Sequence, residues 1–283
     1  MGASDITYIG MIWALLLLVP VFLINYLFDL KQFKPYVVAA IRMIAQLAFV
    51  GVYLHYIFEW NKPWVNFLYL VVMIFIAVYQ SIKQTKIPFR RFIFPVILAT
   101  FVPTVAVVLY FNYLIVGISD LFDAKYLIPI GGMILGNSMK SNIIALERFY
   151  GELSTNTRDY LVPISFGADR NRAVKPFVRK SILAAMSPIV ATMLTIGLVS
   201  LPGMMTGQIL GGSMPVTAIK YQIAIMLAIF CSNIVGVAMT LKLIIPRSFD
   251  CMICRLKGWE MGSCRRLHSS KFNRAVQYVR YQL

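Results

Sequence analysis

Long apolar runs separated by short polar segments recur along the whole chain. Several of them reach the roughly 20 residues that an α-helix needs to cross a hydrocarbon core about 30 Å thick. The pattern therefore predicts an all-α polytopic membrane protein with about seven transmembrane helices. We expect these helices at residues 9–28, 36–58, 64–82, 92–116, 126–146, 181–201 and 218–245.

Composition supports a membrane protein and excludes an ordinary soluble domain. The chain is 59% hydrophobic and 13% charged, and its mean hydropathy is +0.75. Asp5 precedes the first apolar run and no Lys or Arg does. A cleaved signal peptide carries a basic segment at this place, so we expect the first span to be retained.

The distribution of positive charge predicts the orientation of the spans. A net charge of +16 would suggest a nucleic-acid partner in a soluble protein, but here the position of the charges matters more, and we expect none. One set of connecting segments holds 21 of the 27 Lys and Arg residues, whereas the opposite set holds only Lys62 and Lys125. The positive-inside rule then places the N-terminus outside and the C-terminus in the cytoplasm. The basic segments are residues 29–35, 83–91, 147–180 and 246–283.

The same pattern divides the chain into two parts. Residues 1–246 form a transmembrane domain, and residues 247–283 form a basic cytoplasmic tail. Within the first part, residues 147–180 form a long cytoplasmic loop. Residues 201–216 hold four glycines and two prolines, and predict a broken helical element on the outer side.

The segment Phe166–Ile182 lies directly before a predicted span. It carries five basic residues and one acid, Asp169, so we expect it at the boundary between membrane and water. Its small residues and Pro176 indicate a short helix that another molecule contacts. The basic residues are Arg170, Arg172, Lys175, Arg179 and Lys180.

The fifth predicted span is the most polar of the seven. Gly132 and Gly136 form a face of small residues, and Asn137 and Ser138 lie next to Lys140. Two interpretations stay open: a tightly packed helix pair joined by polar side chains, or a helix that lines a passage.

The broken outer element contains Met204, Met205 and Gln208. Thioether sulfurs bind soft metal ions rather than hard ones, but methionine also fills gaps in apolar packing. Gln208 is the polar side chain here that could contact a solute. We therefore assign these three residues, with Asn137 and Ser138, to a candidate substrate pathway.

The chain shows no catalytic constellation and no phosphate-binding loop, so we predict that it is not an enzyme. In the tail, Cys251, Cys254, Cys264 and His268 supply four donors that tetrahedral zinc accepts, although the spacing is not a standard one. Further on, apolar residues at helical spacing among basic ones indicate a short amphipathic helix on the inner leaflet or on a partner.

Three blocks of sequence carry a resemblance to a known family. Gly132–Phe149, Phe166–Ile182 and Gly197–Gly212 together resemble the FetB-type permeases of the UPF0014 family, which includes iron-export permeases and plant relatives linked to aluminium tolerance. Gly167-Ala168-Asp169, followed by spaced apolar residues, also resembles the cytoplasmic coupling loop of ABC-transporter permeases. The resemblance covers the chain up to about residue 246.

The resemblance implies a permease subunit of an ABC transporter, in a bacterial inner membrane, that exports iron or another metal. A separate ATP-binding subunit would hold ATP and magnesium, and two permease copies would pair within the lipid. The ATPase-coupling residues would be Phe166, Gly167, Ala168, Asp169, Arg170, Arg172, Lys175 and Phe177. The alternatives are a stand-alone channel or carrier, and a metal-sensing membrane scaffold.

Overall fold

The computed structural model describes residues 7–85 and 87–256, and in this part of the chain the regular structure is helical. A single bridge between Ile196 and Ser200 is the one isolated backbone pairing there. The helices are α1 (Tyr8–Leu16), α2 (Val19–Leu27), α3 (Phe33–Trp60), α4 (Pro63–Gln84), α5 (Phe89–Tyr110), a π-helix (Phe111–Val116), α6 (Ala124–Thr155), α7 (Thr157–Ser165), α8 (Arg170–Thr195), α9 (Gly203–Leu210) and α10 (Pro215–Leu256).

This architecture confirms the predicted all-α membrane protein. Within the described residues, six segments are long and apolar enough to cross a membrane. The fifth predicted span, 126–146, falls on α6, which does not reach the same apolarity and is not among the six. The six segments are Ile9–Leu27, Phe33–Trp60, Pro63–Gln84, Phe89–Val116, Arg170–Thr195 and Pro215–Pro246.

The core of the molecule is a bundle of α4, α5, α6, α8 and α10, in which α6 packs against the other four. The largest buried side chains include Phe92 of α5 and Phe149 of α6. At Gly131 a Cβ atom would lie 2.7 Å from Leu70 Cδ1, so α4 and α6 approach closely because glycine has no side chain. Small residues permit such close contacts between helices in a membrane.

The N-terminal arm, which we define as residues 8–60, packs very differently. No residue of α3 is buried, and Asn25 is the buried residue of α2. A hydrogen bond between the hydroxyls of Tyr53 and Tyr69 joins the arm to α4. The arm therefore meets the bundle mainly near the C-terminal end of α3.

Asparagine amides fasten the end of the bundle at which α3 meets α4. Asn61, with a left-handed φ of 34°, accepts hydrogen bonds from Asn66 Nδ2 at 3.0 Å and from the backbone N–H of Ala124 at 2.9 Å. Asn66 and Asn112 also donate to the backbone carbonyls of Phe122 and Leu121. The opposite end, where α6 finishes and α7 and α8 follow, carries the charged segment; we call it the basic end.

Candidate functional site

A sharp turn between α7 and α8 presents an aromatic side chain at the basic end. Phe166 is 85% exposed. Gly167 has φ +86°, a conformation that residues with a Cβ adopt at a cost. Backbone N–H groups of Gly167 and Ala168 donate to the carbonyls of Ile164 and Pro163 at 3.0 and 2.9 Å. The turn is therefore closed by its own hydrogen bonds, and it holds Phe166 outward.

The residues after this turn correct one expectation. The predicted short helix is not separate, because residues from Arg170 onward are the first turns of α8, a helix of 26 residues. The apolar positions of the segment continue into the buried face of this helix, so no break occurs after Lys180.

The start of α8 has two distinct faces. Asp169, the N-cap residue, and the basic residues Arg170, Arg172 and Lys175 are exposed. Val174 and Phe177 are buried, at 1% and 3% exposure. Phe177, one of the predicted coupling residues, therefore fixes α8 to the bundle, whereas the basic residues face outward.

Sequence reasoning missed the short helix that does occur here, α7. Its Tyr160 is 2% exposed, and Leu161 and Ile164 pack against the core. Burial raises the pKa of Tyr160 to about 12, so this phenol stays neutral. The helical spacing of the apolar residues at positions 160, 161 and 164, next to the charged Arg158 and Asp159, was the signal that predicts such an amphipathic helix.

Glu152 connects the end of α6 with the start of α8. Its Oε1 lies 2.8 Å from Arg148 Nη2, and its Oε2 accepts a hydrogen bond from Lys180 Nζ at 3.0 Å. Asn156 Nδ2 donates to the same Oε2 at 3.1 Å. The bond from Lys180, with the positive charges of Lys180 and Arg148, lowers the pKa of the Glu152 carboxyl.

An open cleft of about 390 Å³ lies beside the turn. Ala168, Asp169 and Arg170 form one wall, and Ile245 and Pro246 of α10 form the other. The turn, the start of α8 and the C-terminal part of α10 therefore form one continuous surface at the basic end.

Inside the bundle, polar side chains join α6 to α10 and α5. Ser138 Oγ donates to Asn233 Oδ1 at 3.0 Å, and Asn233 Nδ2 donates to Ser141 Oγ at 3.1 Å. Asn142 Nδ2 lies 3.4 Å from Thr100 Oγ1. Ser138 is only 4% exposed, so in this structure it joins two helices rather than lining a passage.

The neighbouring residues of α6 have a more open environment. Asn137 is half-buried, and its Nδ2 donates to the carbonyl of Met133 at 2.8 Å. A Cβ at Gly136 would meet no atom within 4 Å, and Lys140, one turn further along, is exposed. One face of α6 is therefore packed, as expected for a helix pair joined by polar side chains, and the other face is open, as a helix that lines a passage would need.

The broken element predicted at residues 201–216 contains α9, which packs on α10. Met204 packs against the core and Met205 is half-buried. The side-chain oxygen of Gln208 is buried and accepts no hydrogen bond within the described residues. The structure therefore separates the predicted pathway residues between two elements, with Asn137 and Ser138 on α6 and the other three on α9.

The predicted zinc ligands lie outside the side chains that the structure describes. The side chains of Cys251 and Cys254, at the end of α10, are not described, and Cys264 and His268 lie outside the described residues. Among the residues that are described, no three His, Cys, Asp or Glu side chains form a group that could hold a metal ion.

Comparison with known proteins identifies relatives in bacteria and plants. The chain is 35% identical to the UPF0014 membrane protein slr1647 of Synechocystis over 193 residues, which cover 68% of this chain and 74% of the relative. It is 34% identical to the probable iron export permease protein FetB of Escherichia coli, over 80% of this chain and 85% of the relative. It is 29% identical to Protein ALUMINUM SENSITIVE 3 of Arabidopsis thaliana, over 65% of this chain and 66% of the relative.

No solved structure matches this chain. Residues 8–249 match the Uncharacterised protein family (UPF0014), and this range contains α4, α5, α6, α8 and most of α10. The Synechocystis relative is named a membrane protein and the Escherichia coli relative a permease, in agreement with the six apolar spans. The chain is thus an integral, multi-pass membrane protein that belongs to the UPF0014 family.

Proposed function

We propose that this chain is the membrane-spanning permease subunit of an ABC transporter that exports iron or another metal. A separate ATP-binding subunit, with its ATP and magnesium, docks on the basic end and drives transport. The name of the Escherichia coli relative, a probable iron export permease, supports transport as the activity and iron as a candidate solute.

The observation that carries the proposal is the exposed turn at Phe166. An aromatic side chain that is 85% exposed, beside exposed arginines and an open cleft, is typical of a surface that another protein covers. A closed turn positions this side chain, so a partner finds it already ordered. The ATP-binding subunit is the occupant that a permease of this kind requires.

Movement of the partner would reach the membrane through α8. Val174 and Phe177 fix this helix in the core, and Lys180 binds Glu152 of α6. Because α8 continues without a break from the turn into the bundle, a displacement at Phe166 moves the span as a rigid body. Two permease copies, each with the N-terminus outside and the basic end in the cytoplasm, would complete the transporter.

Removal of the aromatic ring tests the docking surface. In the tagged full-length protein purified from its native membranes, Phe166→Ala should reduce the associated, vanadate-sensitive ATPase activity at least about tenfold, as expected when a central interface residue is lost. Phe28→Ala is the matched control, because Phe28 is 73% exposed in a different connecting segment. Its variant should keep the activity of the unchanged protein.

Two results would contradict the proposal. One is purified protein that transports solute at an unchanged rate after ATP depletion and carries no ATPase, as expected of a channel or carrier. The other is equal loss of ATPase in both phenylalanine variants, which would show that the basic end has no special role.

A further inference from the structure

We propose that the face of α6 with Gly136 and Lys140 lines the aqueous passage of the permease and selects anionic solutes, so that a metal ion crosses as an anionic complex. This inference rests on the proposed permease function and names the chemical class of its solute. It follows from the position, direction and surroundings of one lysine.

Lys140 lies deep within the membrane part of the molecule. It stands near the middle of α6, seven residues before Glu147, the first charged residue of the basic end. With a rise of about 1.5 Å per residue, its Cα lies about 10 Å from Glu147 and about 22 Å from Lys125 along the helix axis. The ammonium group therefore belongs to a residue inside the hydrocarbon layer.

The direction of α6 keeps the Lys140 ammonium group away from the nearer membrane surface, which is the one at the basic end. In an α-helix the Cα–Cβ bonds tilt toward the N-terminus. For Lys140 this direction leads away from Glu147 and the basic end. Arg42 of α3 shows the contrast, because its N-terminal direction leads toward the charged end at Lys34, and its long side chain can extend there.

Within the described residues, Lys140 has no hydrogen bond or ion pair. Among the acidic residues whose side chains are described, Glu147 is the nearest to Lys140 along α6, seven residues further on, and the others lie in connecting segments or in the first or last turns of helices. A cation without a counter-ion in a membrane protein typically faces a water-filled cavity. The acidic residues whose side chains are described are Asp29, Glu59, Asp120, Asp123, Glu147, Glu152, Asp159 and Asp169.

The face of α6 next to this lysine is open. Gly131 and Gly132 touch α4, since Cβ atoms there would lie 2.7 Å from Leu70 Cδ1 and 3.2 Å from Met73 Cε. One turn further along, a Cβ at Gly136 would meet nothing within 4 Å. The face of α6 at Gly136, one turn before Lys140, is therefore open.

The chemistry of this face favours anions. A fixed ammonium group without a nearby carboxylate attracts anions and repels cations, and rings of Lys and Arg select anions in pores. A bare iron ion would instead need oxygen donors such as carboxylates, and the described residues provide no acidic cluster for it. An anionic metal complex or an organic anion fits both observations.

Thiol labelling tests this inference without knowledge of the solute. In membrane vesicles, the full-length protein with all four cysteines changed to serine and with Gly136→Cys is treated with an anionic or a cationic methanethiosulfonate reagent. Rates are divided by those of a free thiol in solution. We expect the anionic reagent to react about tenfold faster after this correction, because local charge changes the concentration of ions.

Variants of two cations on different membrane helices, Lys140 and Arg42, separate the contribution of Lys140. In the Gly136→Cys protein, Lys140→Gln should abolish the faster reaction with the anionic reagent, and Lys140→Arg should keep it. Arg42→Gln, which removes a cation from another membrane helix, should also keep it. Ser138 is buried, so the protein with Ser138→Cys in place of Gly136→Cys should react with neither reagent.

Three outcomes would overturn the inference: no reaction at Gly136→Cys, a preference for the cationic reagent, or a preference that survives Lys140→Gln. No reaction would mean that lipid or a second copy covers this face. The test needs no ATPase, so its failure leaves the proposed docking of an ATP-binding subunit untouched. Loss of the ATPase partner would equally leave the labelling result unchanged.

Discussion

Helices α3 and α6 have similar lengths but opposite environments. Helix α3 has 28 residues, its most apolar stretch of 18 residues has a mean hydropathy of 2.0, and none of its residues is buried. Helix α6 has 32 residues, is too polar to be counted among the apolar spans, and has fifteen buried residues. In this protein the more polar helix is the central one.

The difference shows that apolarity and burial report different things in a membrane protein. Apolarity indicates that a helix tolerates lipid, whereas contacts between helices depend on small residues and on hydrogen bonds. Helix α6 has both features, in Gly131 and in Ser138, whereas α3 contacts α4 through the hydroxyl hydrogen bond between Tyr53 and Tyr69 without a glycine contact. Matched substitutions in the two helices can test this explanation.

The largest effect is expected at the glycine contact between α6 and α4. Gly131→Leu should lower the free energy of unfolding by about 1–3 kcal/mol, the usual cost of an oversized side chain in a packed site. Gly51→Leu in α3 should have no unfavourable effect, because nothing lies within 4 Å of the added Cβ. Thermal unfolding in detergent measures both, and equal losses would contradict the comparison.

A smaller effect is expected from the polar side chains of the bundle. Asn233→Ala removes the hydrogen bonds to Ser138 and Ser141 and should cost about 0.6–1.7 kcal/mol, as such bonds do in membranes. Gln46→Ala, at an exposed position of α3, should cost nothing measurable. The double variant with Ser138→Ala should lose less than the sum of the two single variants, and strict additivity would argue against the bond.

The smallest effect is expected at the ion pairs. Glu152→Gln should slightly lower the unfolding temperature at neutral pH, whereas Asp29→Asn in the arm should not. Asp29 Oδ2 lies 3.6 Å from Lys31 Nζ, and both side chains are about 80% exposed, so water weakens this ion pair. The folded state lowers the pKa of Glu152, so its stabilisation is present at neutral pH. It disappears as the pH falls through that lowered pKa.

Unfolding curves measured across this pH range check the prediction. The difference between the unchanged protein and Glu152→Gln should vanish at low pH, because both side chains are then neutral. A difference that grows as the pH falls would contradict the assigned role of the carboxylate.

The sequence predicted the membrane helices well because a lipid-facing span needs only length and apolar composition. The same rule failed at the basic segment: Arg170 and Lys175 look like a loop by hydropathy, yet they lie on the exposed face of a long helix. A hydropathy average cannot separate the two faces of a helix when Val174 and Phe177 on one face offset the cations on the other.

Packing partners could be predicted only in part. The polar residues of α6 indicated either contact or a passage, and the structure divides them, because Ser138 is hydrogen-bonded inside while Lys140 is exposed. This division depends on which helices surround α6, and Asn233 lies 95 residues away from Ser138 in the sequence. Local patterns cannot identify so distant a partner.

The distance of 95 residues along the chain between Ser138 and Asn233 also has a consequence during biosynthesis. At synthesis rates of about 5–20 residues per second, Ser138 leaves the ribosome roughly 5–20 s before Asn233 exists. Throughout this interval the marginally apolar α6 must enter or wait beside the membrane without its polar partner. A nascent chain that stops before α10 would keep unsatisfied hydroxyls in its central helix, and quality-control proteases could recognise it there.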